Sequence, residues 1–218
     1  FRSRLNFAEN CLSHARDDHE TAIIAHAETG STATLTWGEL RQQVANMAAT
    51  LHTLGVKESD VVAGFVGHGA EAIVSALATL SLGAIWTSCS PDFGVQGVLD
   101  RFGQTQPKVL IATASTRYNK KSIDLSPRVN ALLSALPSVT GCIQYAGPSA
   151  DCVSERIARA GCDVQTYEHA IEGSETLHFS RVPFNHPAFI LYSSGTTGVP
   201  KCIMHSHGGS LIQLVKEH

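Results

Sequence analysis

The sequence has 218 residues, of which 43% are hydrophobic and 16% are charged. This composition is typical of a folded globular chain and argues against intrinsic disorder. The formal net charge of −3 argues against a nucleic-acid-binding surface. It does not oppose the binding of small phosphorylated molecules, because local donors and helix N-termini determine anion sites. No apolar run reaches the roughly 20 residues that span a bilayer, so no membrane partner is predicted.

The first elements along the chain are a predicted hairpin and a predicted helix. Residues 22–27 and 32–37 flank a short polar turn, a pattern that indicates a β-hairpin. Thr36 and Glu39 have the spacing of a capping box, and apolar residues follow at helical intervals up to Gly55. We therefore predict an amphipathic helix that ends at this glycine.

The next segments repeat a strand–helix–strand pattern. In chain order we predict strands at residues 61–66, 84–88 and 108–113, and helices at residues 70–82, 95–105 and from Ser126 onward. Residues 147–186 show no dominant period. A further strand is predicted at residues 188–192 and a helix at residues 206–217. The repeated βαβ unit predicts an α/β fold with mixed or parallel sheets and helical crossovers.

The cysteines are scattered through the chain. They are Cys11, Cys89, Cys142, Cys152, Cys162 and Cys202. No Cys-x-x-Cys pair occurs among them, so we expect neither a zinc site nor a disulfide framework. Reduced, mostly buried thiols and a cytosolic location are the expectations that follow.

A polar segment with two glycines follows the predicted strand at residues 188–192. This phosphate loop, residues 192–201, has the sequence YSSGTTGVPK. Glycines let backbone N–H groups approach an anion, hydroxyls add donors, and a lysine adds a mobile positive charge. We predict that it binds the polyphosphate of ATP; a polar surface turn is the alternative. The predicted phosphate-binding residues are Ser193, Ser194, Gly195, Thr196, Thr197, Gly198 and Lys201.

The spacing in this loop differs from that of a Walker loop. The two glycines are three residues apart, and Pro200 precedes Lys201, whereas a Walker loop places four residues between its glycines and ends in Gly-Lys-Ser/Thr. The loop resembles instead the Ser/Thr-Ser-Gly-Thr-Thr-Gly-x-Pro-Lys signature of adenylate-forming enzymes.

The resemblance covers essentially the whole chain and points to the acetoacetyl-CoA synthetase family within that superfamily. The segments that carry it are LNFAEN (residues 5–10), GAIWTSCSPDFG (83–94), VLDRFGQTQPK (98–108) and HSHGGSLIQLVKEH (205–218). Residues 86–93 distinguish this family from the acetyl-CoA synthetases. The chain begins without methionine, and the resemblance implies that residues 1–218 form part of a large N-terminal AMP-binding domain.

The resemblance also implies a chemistry. The full-length enzyme would use ATP with Mg²⁺ to convert acetoacetate to an acyl-adenylate, release pyrophosphate, and transfer the acyl group to CoA. Lys201 would be a catalytic residue that stabilises charge on the leaving pyrophosphate. The family's adenine, ribose and C-terminal lysine motifs are not found in these residues. We therefore expect the fragment alone to be inactive.

Two further pairs of residues have more than one interpretation. Lys120 and Lys121 resemble the basic turn that contacts the CoA nucleotide in short-chain acyl-CoA synthetases, although a solvated charge pair is the commoner explanation. His205 and His207 would share a face of an extended segment. Without a nearby carboxylate they make a poor metal site, so we favour packing at a helix start and predict no protein metal site.

Two alternative functions are compatible with the sequence. The first is an AMP-forming CoA ligase for another short-chain acid, because residues of the acyl pocket cannot be identified in this chain. The second is a non-catalytic nucleotide-binding protein. The oligomeric state is not predicted.

Overall fold

The computed structural model describes residues 3–13, 17–28, 30, 32–193 and 198–217. The strands are β1 (Arg4–Leu5), β2 (Thr21–His26), β3 (Thr32–Thr36), β4 (Val61–Phe65), β5 (Ile85–Cys89), β6 (Val109–Thr113), β7 (Ser115–Tyr118), β8 (Lys121–Asp124), β9 (Gly141–Tyr145), β10 (Asp163–Thr166), β11 (Val182–Pro183), β12 (Pro187–Ser193) and β13 (Lys201–Ser206). The helices are α1 (Phe7–Leu12), α2 (Trp37–Thr53), α3 (Ala70–Ser81), α4 (Val95–Thr105), α5 (Ser126–Ala135), α6 (Tyr167–Ala170) and α7 (His207–Glu217).

The main sheet has the strand order β10-β9-β6-β4-β5-β12-β13. Neighbouring strands in it are parallel except β12 and β13, which are antiparallel. Smaller pairs are formed by β1 with β11, β2 with β3, and β7 with β8. The predicted α/β fold with helical crossovers is confirmed.

Hydrophobic cores lie on both faces of the main sheet. Alternate residues of a strand point to opposite faces, so Val62 joins the core formed with α2 and α3, whereas Ala63 and Phe65 join the core formed with α4 and α5. Burial of a large apolar side chain contributes about 1.5–3 kcal/mol. Burial on both faces also explains why β4 and β6 are almost uninterrupted apolar runs.

The predicted helix ends are found where the local signals lie. The Thr36 hydroxyl accepts the Glu39 N–H at 3.2 Å, and the Glu39 carboxylate accepts the Thr36 N–H at 2.8 Å, so the capping box of α2 is confirmed. Helix α4 is followed by Gln106, which has a left-handed φ of 47°. Pro107 comes next, and its ring disfavours a helical conformation in the preceding residue.

Hydrogen bonds of the Asn6 side chain connect the segment near the N-terminus to the rest of the fold. This side chain is fully buried. Its amide donates to the carbonyl oxygens of Leu80 at 2.7 Å and Ser180 at 2.8 Å, while its oxygen accepts the Glu9 N–H at 3.2 Å. A buried amide is stabilising only when its donors and acceptor are paired, and here both ends of the amide have partners.

Some elements differ from the prediction. The hairpin β7–β8 follows β6 and is not predicted; Asn119 and Lys120 form its turn with φ values of 48° and 64°. Two consecutive residues with positive φ are typical of a type I′ turn, whose usual sequence signal is Asn-Gly. Strand β9 is not predicted, and neither is β13, whose first residue, Lys201, is the last residue of the phosphate loop.

The cysteine thiols within the described residues are free. The reduced state of these thiols stays an expectation. The expectation that most are buried is wrong, because only Cys89 and Cys142 are buried and Cys202 is exposed. Among the helices of the described ranges, none has the length and hydropathy needed to cross a membrane.

Candidate functional site

The carboxyl ends of β4, β5, β6, β9 and β12 lie at one edge of the main sheet, because these strands are parallel. Helix α3 follows β4 on one face, and α4 follows β5 on the other. Neighbouring strands with connections on opposite faces create a crevice in which α/β proteins tend to bind ligands. A cavity of about 310 Å³ lies there, with Gly67, His68 and Ser88 in its wall.

The two ends of the phosphate loop are joined by a strand pair at this edge. Strand β12 ends at Ser193, β13 begins at Lys201, and these two residues are directly opposite in the antiparallel register. Gly198 has a φ of 98°, in the left-handed region that glycine readily adopts. Residues 194–197, with the sequence Ser-Gly-Thr-Thr, lie outside the described residues, so their phosphate-binding role stays a prediction.

Lys201 and Ser193 present their side chains on the same face of the strand pair, because directly opposite residues in an antiparallel pair share a face. Lys201 is exposed. Within the described ranges, no carboxylate lies at salt-bridge distance from its ammonium group. The ammonium group is therefore not paired with a carboxylate in this part of the protein and can accept an anionic partner.

Tyr192, at the N-terminal end of the phosphate loop, packs against β5 and α4. Thr87 Oγ1 lies 2.8 Å from the Tyr192 hydroxyl, and burial raises the pKa of Tyr192. The guanidinium carbon of Arg101 lies 5.8 Å from the centroid of the Tyr192 ring and 4.3 Å from that of Phe93. Burial also raises the pKa of the nearby Cys89 thiol to about 11, so this group is a neutral thiol at neutral pH.

The predicted CoA-contacting lysines lie elsewhere on the same sheet edge. Lys120 and Lys121 are exposed at the turn of the hairpin that follows β6, and the Lys120 N–H donates to the Glu28 carboxylate at 3.1 Å. A cavity of about 450 Å³ beside this hairpin has Glu28 and Arg117 in its wall. Three inter-strand spacings, or roughly 14 Å, separate β6 from β12. The structure thus does not bring these lysines and the phosphate loop into one cluster.

The two histidines after the loop have different environments. His205 is exposed on β13, whereas His207 is fully buried at the start of α7, where its Nδ1 accepts the Phe7 N–H at 3.0 Å. Packing at a helix start is confirmed for His207, and the expectation that the two rings share a face is wrong because the helix begins between them. Burial lowers the pKa of His207 to about 4, and His186 acts in the same direction. Within the described ranges, no group of three metal-ligating side chains is found.

The side chains of α4 at the loop were not identified from the sequence. Arg101 and Gln104 lie in the segment VLDRFGQTQPK (residues 98–108), whose only sequence signal is its family resemblance. Gln104 donates to the Pro200 carbonyl, 96 residues later in the chain. Neither residue has a local pattern that indicates such a contact, because the contact depends on how the crossover helix packs on the sheet.

The chain is similar to several known proteins. A family model described as AMP-binding enzyme matches residues 11–218. The sequence is 44% identical to the acetoacetyl-coenzyme A synthetase of Rhizobium meliloti over 99% of this chain and 32% of that protein. It is 40% identical to the malonamoyl-CoA synthetase of Penicillium aethiopicum over 99% of this chain and 31% of that one.

A solved structure is also similar to this chain. The acetoacetyl-CoA synthetase from Streptomyces lividans superimposes with a TM-score of 0.89 at 40% sequence identity, over 98% of this chain and 32% of that chain. The chain thus spans about a third of the length of the proteins that it matches.

Proposed function

Because the chain belongs to the family of AMP-binding enzymes, we propose that it is the N-terminal part of an acetoacetate–CoA ligase. The observation that carries this proposal is the position of the phosphate loop at the carboxyl edge of the sheet, where Lys201 has no anionic neighbour among the described residues. In the proposal, residues 1–218 are part of the AMP-binding domain, and the remainder of that domain and a C-terminal domain follow. Free cysteine thiols support a cytosolic location.

The proposed reaction has two steps. The carboxylate of acetoacetate attacks the α-phosphorus of Mg–ATP, the bond to the oxygen that bridges the α- and β-phosphates breaks, and acetoacetyl-adenylate and pyrophosphate form. The CoA thiol then attacks the acyl carbonyl, AMP leaves with the electron pair of the broken bond, and the thiol proton is lost. The products are acetoacetyl-CoA and AMP.

The phosphate loop acts in the first step. Negative charge increases on the pyrophosphate as it leaves, and preorganised donors stabilise such charge more strongly than water does. We assign this role to the ammonium group of Lys201, the hydroxyl of Ser193, the amide of Gly198 and the Ser-Gly-Thr-Thr donors of residues 194–197. Magnesium arrives with ATP, held chiefly by phosphate oxygens.

The second step needs a CoA site. We propose that Lys120 and Lys121 contact the phosphates of the CoA nucleotide, because both side chains are exposed at a hairpin turn on the sheet edge that carries the phosphate loop. Two adjacent ammonium groups at an exposed turn suit a flexible, highly charged ligand.

The identity of the acid rests on the names of the relatives. Two of the proteins compared are acetoacetyl-CoA synthetases, and these support acetoacetate. A relative of similar identity is a malonamoyl-CoA synthetase, which supports the alternative of a ligase for another short-chain acid. A non-catalytic nucleotide-binding protein has less support, because the compared relatives are synthetases.

The test is ATP–pyrophosphate exchange by the full-length protein, with acetoacetate, malonamate, acetate, propionate and butyrate at matched concentrations. We expect exchange to depend on acetoacetate. Exchange that prefers another acid would retain the adenylation chemistry and overturn the substrate. No exchange with any acid, from protein that is folded and binds ATP, would favour the non-catalytic alternative.

A further inference from the structure

Helix α4 contacts both ends of the phosphate loop. The helix begins just after β5, at the carboxyl edge, and its apolar side packs into the core that also contacts Tyr192. Two of its polar side chains, Arg101 and Gln104, extend toward β12 and toward the residues before β13. Neither belongs to the loop, so their contacts are candidates for setting its position.

The contact at the exit of the loop is a hydrogen bond. The Gln104 side-chain amide donates to the Pro200 carbonyl at 2.9 Å. Pro200 is buried and directly precedes Lys201, and its ring restricts the backbone on both sides. A side chain of α4 therefore holds the peptide group that joins Pro200 to Lys201.

The contact at the entrance is a cation–π arrangement. Arg101 lies against the rings of Phe93 and Tyr192, within the distance at which a guanidinium is attracted to an aromatic face. One of its nitrogens donates to the Gly97 carbonyl at 2.6 Å, which fixes the guanidinium relative to the helix. Among the described residues it has no carboxylate at salt-bridge distance. Its guanidinium therefore contacts two rings, the nearer one of Phe93 and that of Tyr192, which immediately precedes Ser193.

We propose that Gln104 and Arg101 are positioning residues for the phosphate loop. Gln104 fixes the C-terminal end of the loop at Pro200, and Arg101 fixes its N-terminal end at Tyr192. Helix α4 therefore sets the position of Lys201 relative to the carboxyl ends of the parallel strands. Neither side chain contacts a substrate in this proposal. The inference rests on the proposed function, because positioning matters only if the loop binds ATP.

The kinetic test uses the full-length ligase with substitutions on α4. Gln104→Met removes the donor at similar length, Gln104→Lys restores a donor, and Gln96→Met is the matched control on the same helix, since Gln96 bonds only to Asp100 among the described residues. Gln104→Met also removes a hydrogen bond from the side-chain amide to the Asp100 carbonyl within α4. We expect loss of the bond to Pro200 to raise the KM for ATP about two- to tenfold, the range for one hydrogen bond. We expect the KM for CoA to stay within twofold of the wild-type value. Gln104→Lys should lower the KM for ATP part of the way back to the wild-type value, and Gln96→Met should change neither KM.

The contact of Arg101 with Tyr192 is tested in the same way. Arg101→Met removes the cation and is expected to raise the KM for ATP by a similar factor. Arg101→Lys keeps a cation near the rings, so its KM for ATP is expected to rise less. Equal rises in the KM for ATP and for CoA, or equal effects of Arg101→Met and Arg101→Lys, would overturn the role assigned to Arg101.

A readout independent of catalysis separates this inference from the proposed function. Hydrogen exchange of a peptide covering residues 198–204 is compared in the wild type, Gln104→Met and Gln96→Met, with the unfolding temperature as a check on overall folding. Faster exchange in Gln104→Met alone supports the positioning role even if no acid supports ATP–pyrophosphate exchange. Equal exchange in the two variants, together with equal KM values for ATP, overturns it.

Discussion

Lys201 stands at the first position of β13, exposed and opposite Ser193. Its side chain is long and flexible, so its ammonium group can follow a phosphate group through a reaction. The backbone beneath it is less free, because Pro200 is buried and β13 is paired with β12. A mobile charge on a fixed backbone suits stabilisation of a leaving pyrophosphate.

We predict that Lys201→Met lowers ATP–pyrophosphate exchange by the full-length protein about 100-fold, the usual cost of removing one preorganised group that stabilises transition-state charge. The measurement is the rate at saturating acid and Mg–ATP. The matched control is Lys57→Met, because Lys57 is also exposed but precedes β4, at the opposite edge of the sheet. Equal rates for the two variants would contradict a role for Lys201 in the chemistry.

At the scale of elements, the junction between α1 and α7 depends on a neutral histidine. The buried His207 ring accepts the Phe7 N–H through Nδ1, and a proton at that nitrogen would remove the acceptor. Its pKa falls from 6.5 to about 4, first because of burial and second because of His186. The unfolded chain therefore binds a proton in a pH range where the folded chain does not.

We predict that the free energy of unfolding decreases as the pH falls from about 6.5 to about 4, by up to about 3 kcal/mol from this group. Above pH 6.5 the ring is neutral in both states, and the contribution is constant. In urea unfolding of the full-length protein, His207→Asn keeps an acceptor for the Phe7 N–H and flattens this part of the pH profile. His205→Asn, an exposed control, leaves the slope unchanged. Parallel profiles for the wild type and His207→Asn would disprove the assignment.

Elements with independent local signals could be predicted from the sequence. Helix α2 has a capping box and an apolar period, and α4 has a clear end before Pro107. The β7–β8 hairpin could not be predicted, because its Asn-Lys turn lacks glycine although both residues have positive φ. Strand β13 depends on pairing with β12 across the loop and has exposed residues along most of its length, so it shows no alternating pattern of burial.

The candidate site was partly predictable for a related reason. The residues of the phosphate loop are contiguous, so composition and spacing predict them together. The contacts of Gln104 with Pro200 and of Arg101 with Tyr192 join residues about 90 or more positions apart. Such contacts follow from the packing of a crossover helix on a sheet, which no local pattern specifies.

At the scale of the whole molecule, the side of the main sheet that ends in strand β13 presents apolar side chains to solvent. Leu191 and Ile203 form a directly opposed pair, Met204 follows on β13, and Ile212 and Val215 are exposed on α7. Within the described residues, no strand pairs with the outer edge of β13. An apolar, unpaired edge strand is a template for association with another chain.

We predict that the 218-residue chain expressed alone self-associates. Light scattering over a concentration series measures this, and Met204→Lys combined with Val215→Lys is expected to shift the chain toward monomer. Ile24→Lys is the control, because Ile24 is similarly exposed but lies on β2, which pairs only with β3 among the described residues. A wild-type chain that is monomeric across the series, or equal behaviour of the two variants, would contradict the prediction.

The position of β12 in the main sheet has a consequence for the order in which the protein folds. β12 pairs with β5 through Phe189 and Trp86, which are about 100 residues apart in sequence. Closing so long a loop is entropically costly and slow, so we expect pairings between closer segments, such as β4 with β5 and β2 with β3, to form earlier. β13 and the phosphate loop depend on β12, and β13 follows the other described strands in the sequence. The phosphate loop is then expected to be among the last of the described segments to reach its final position.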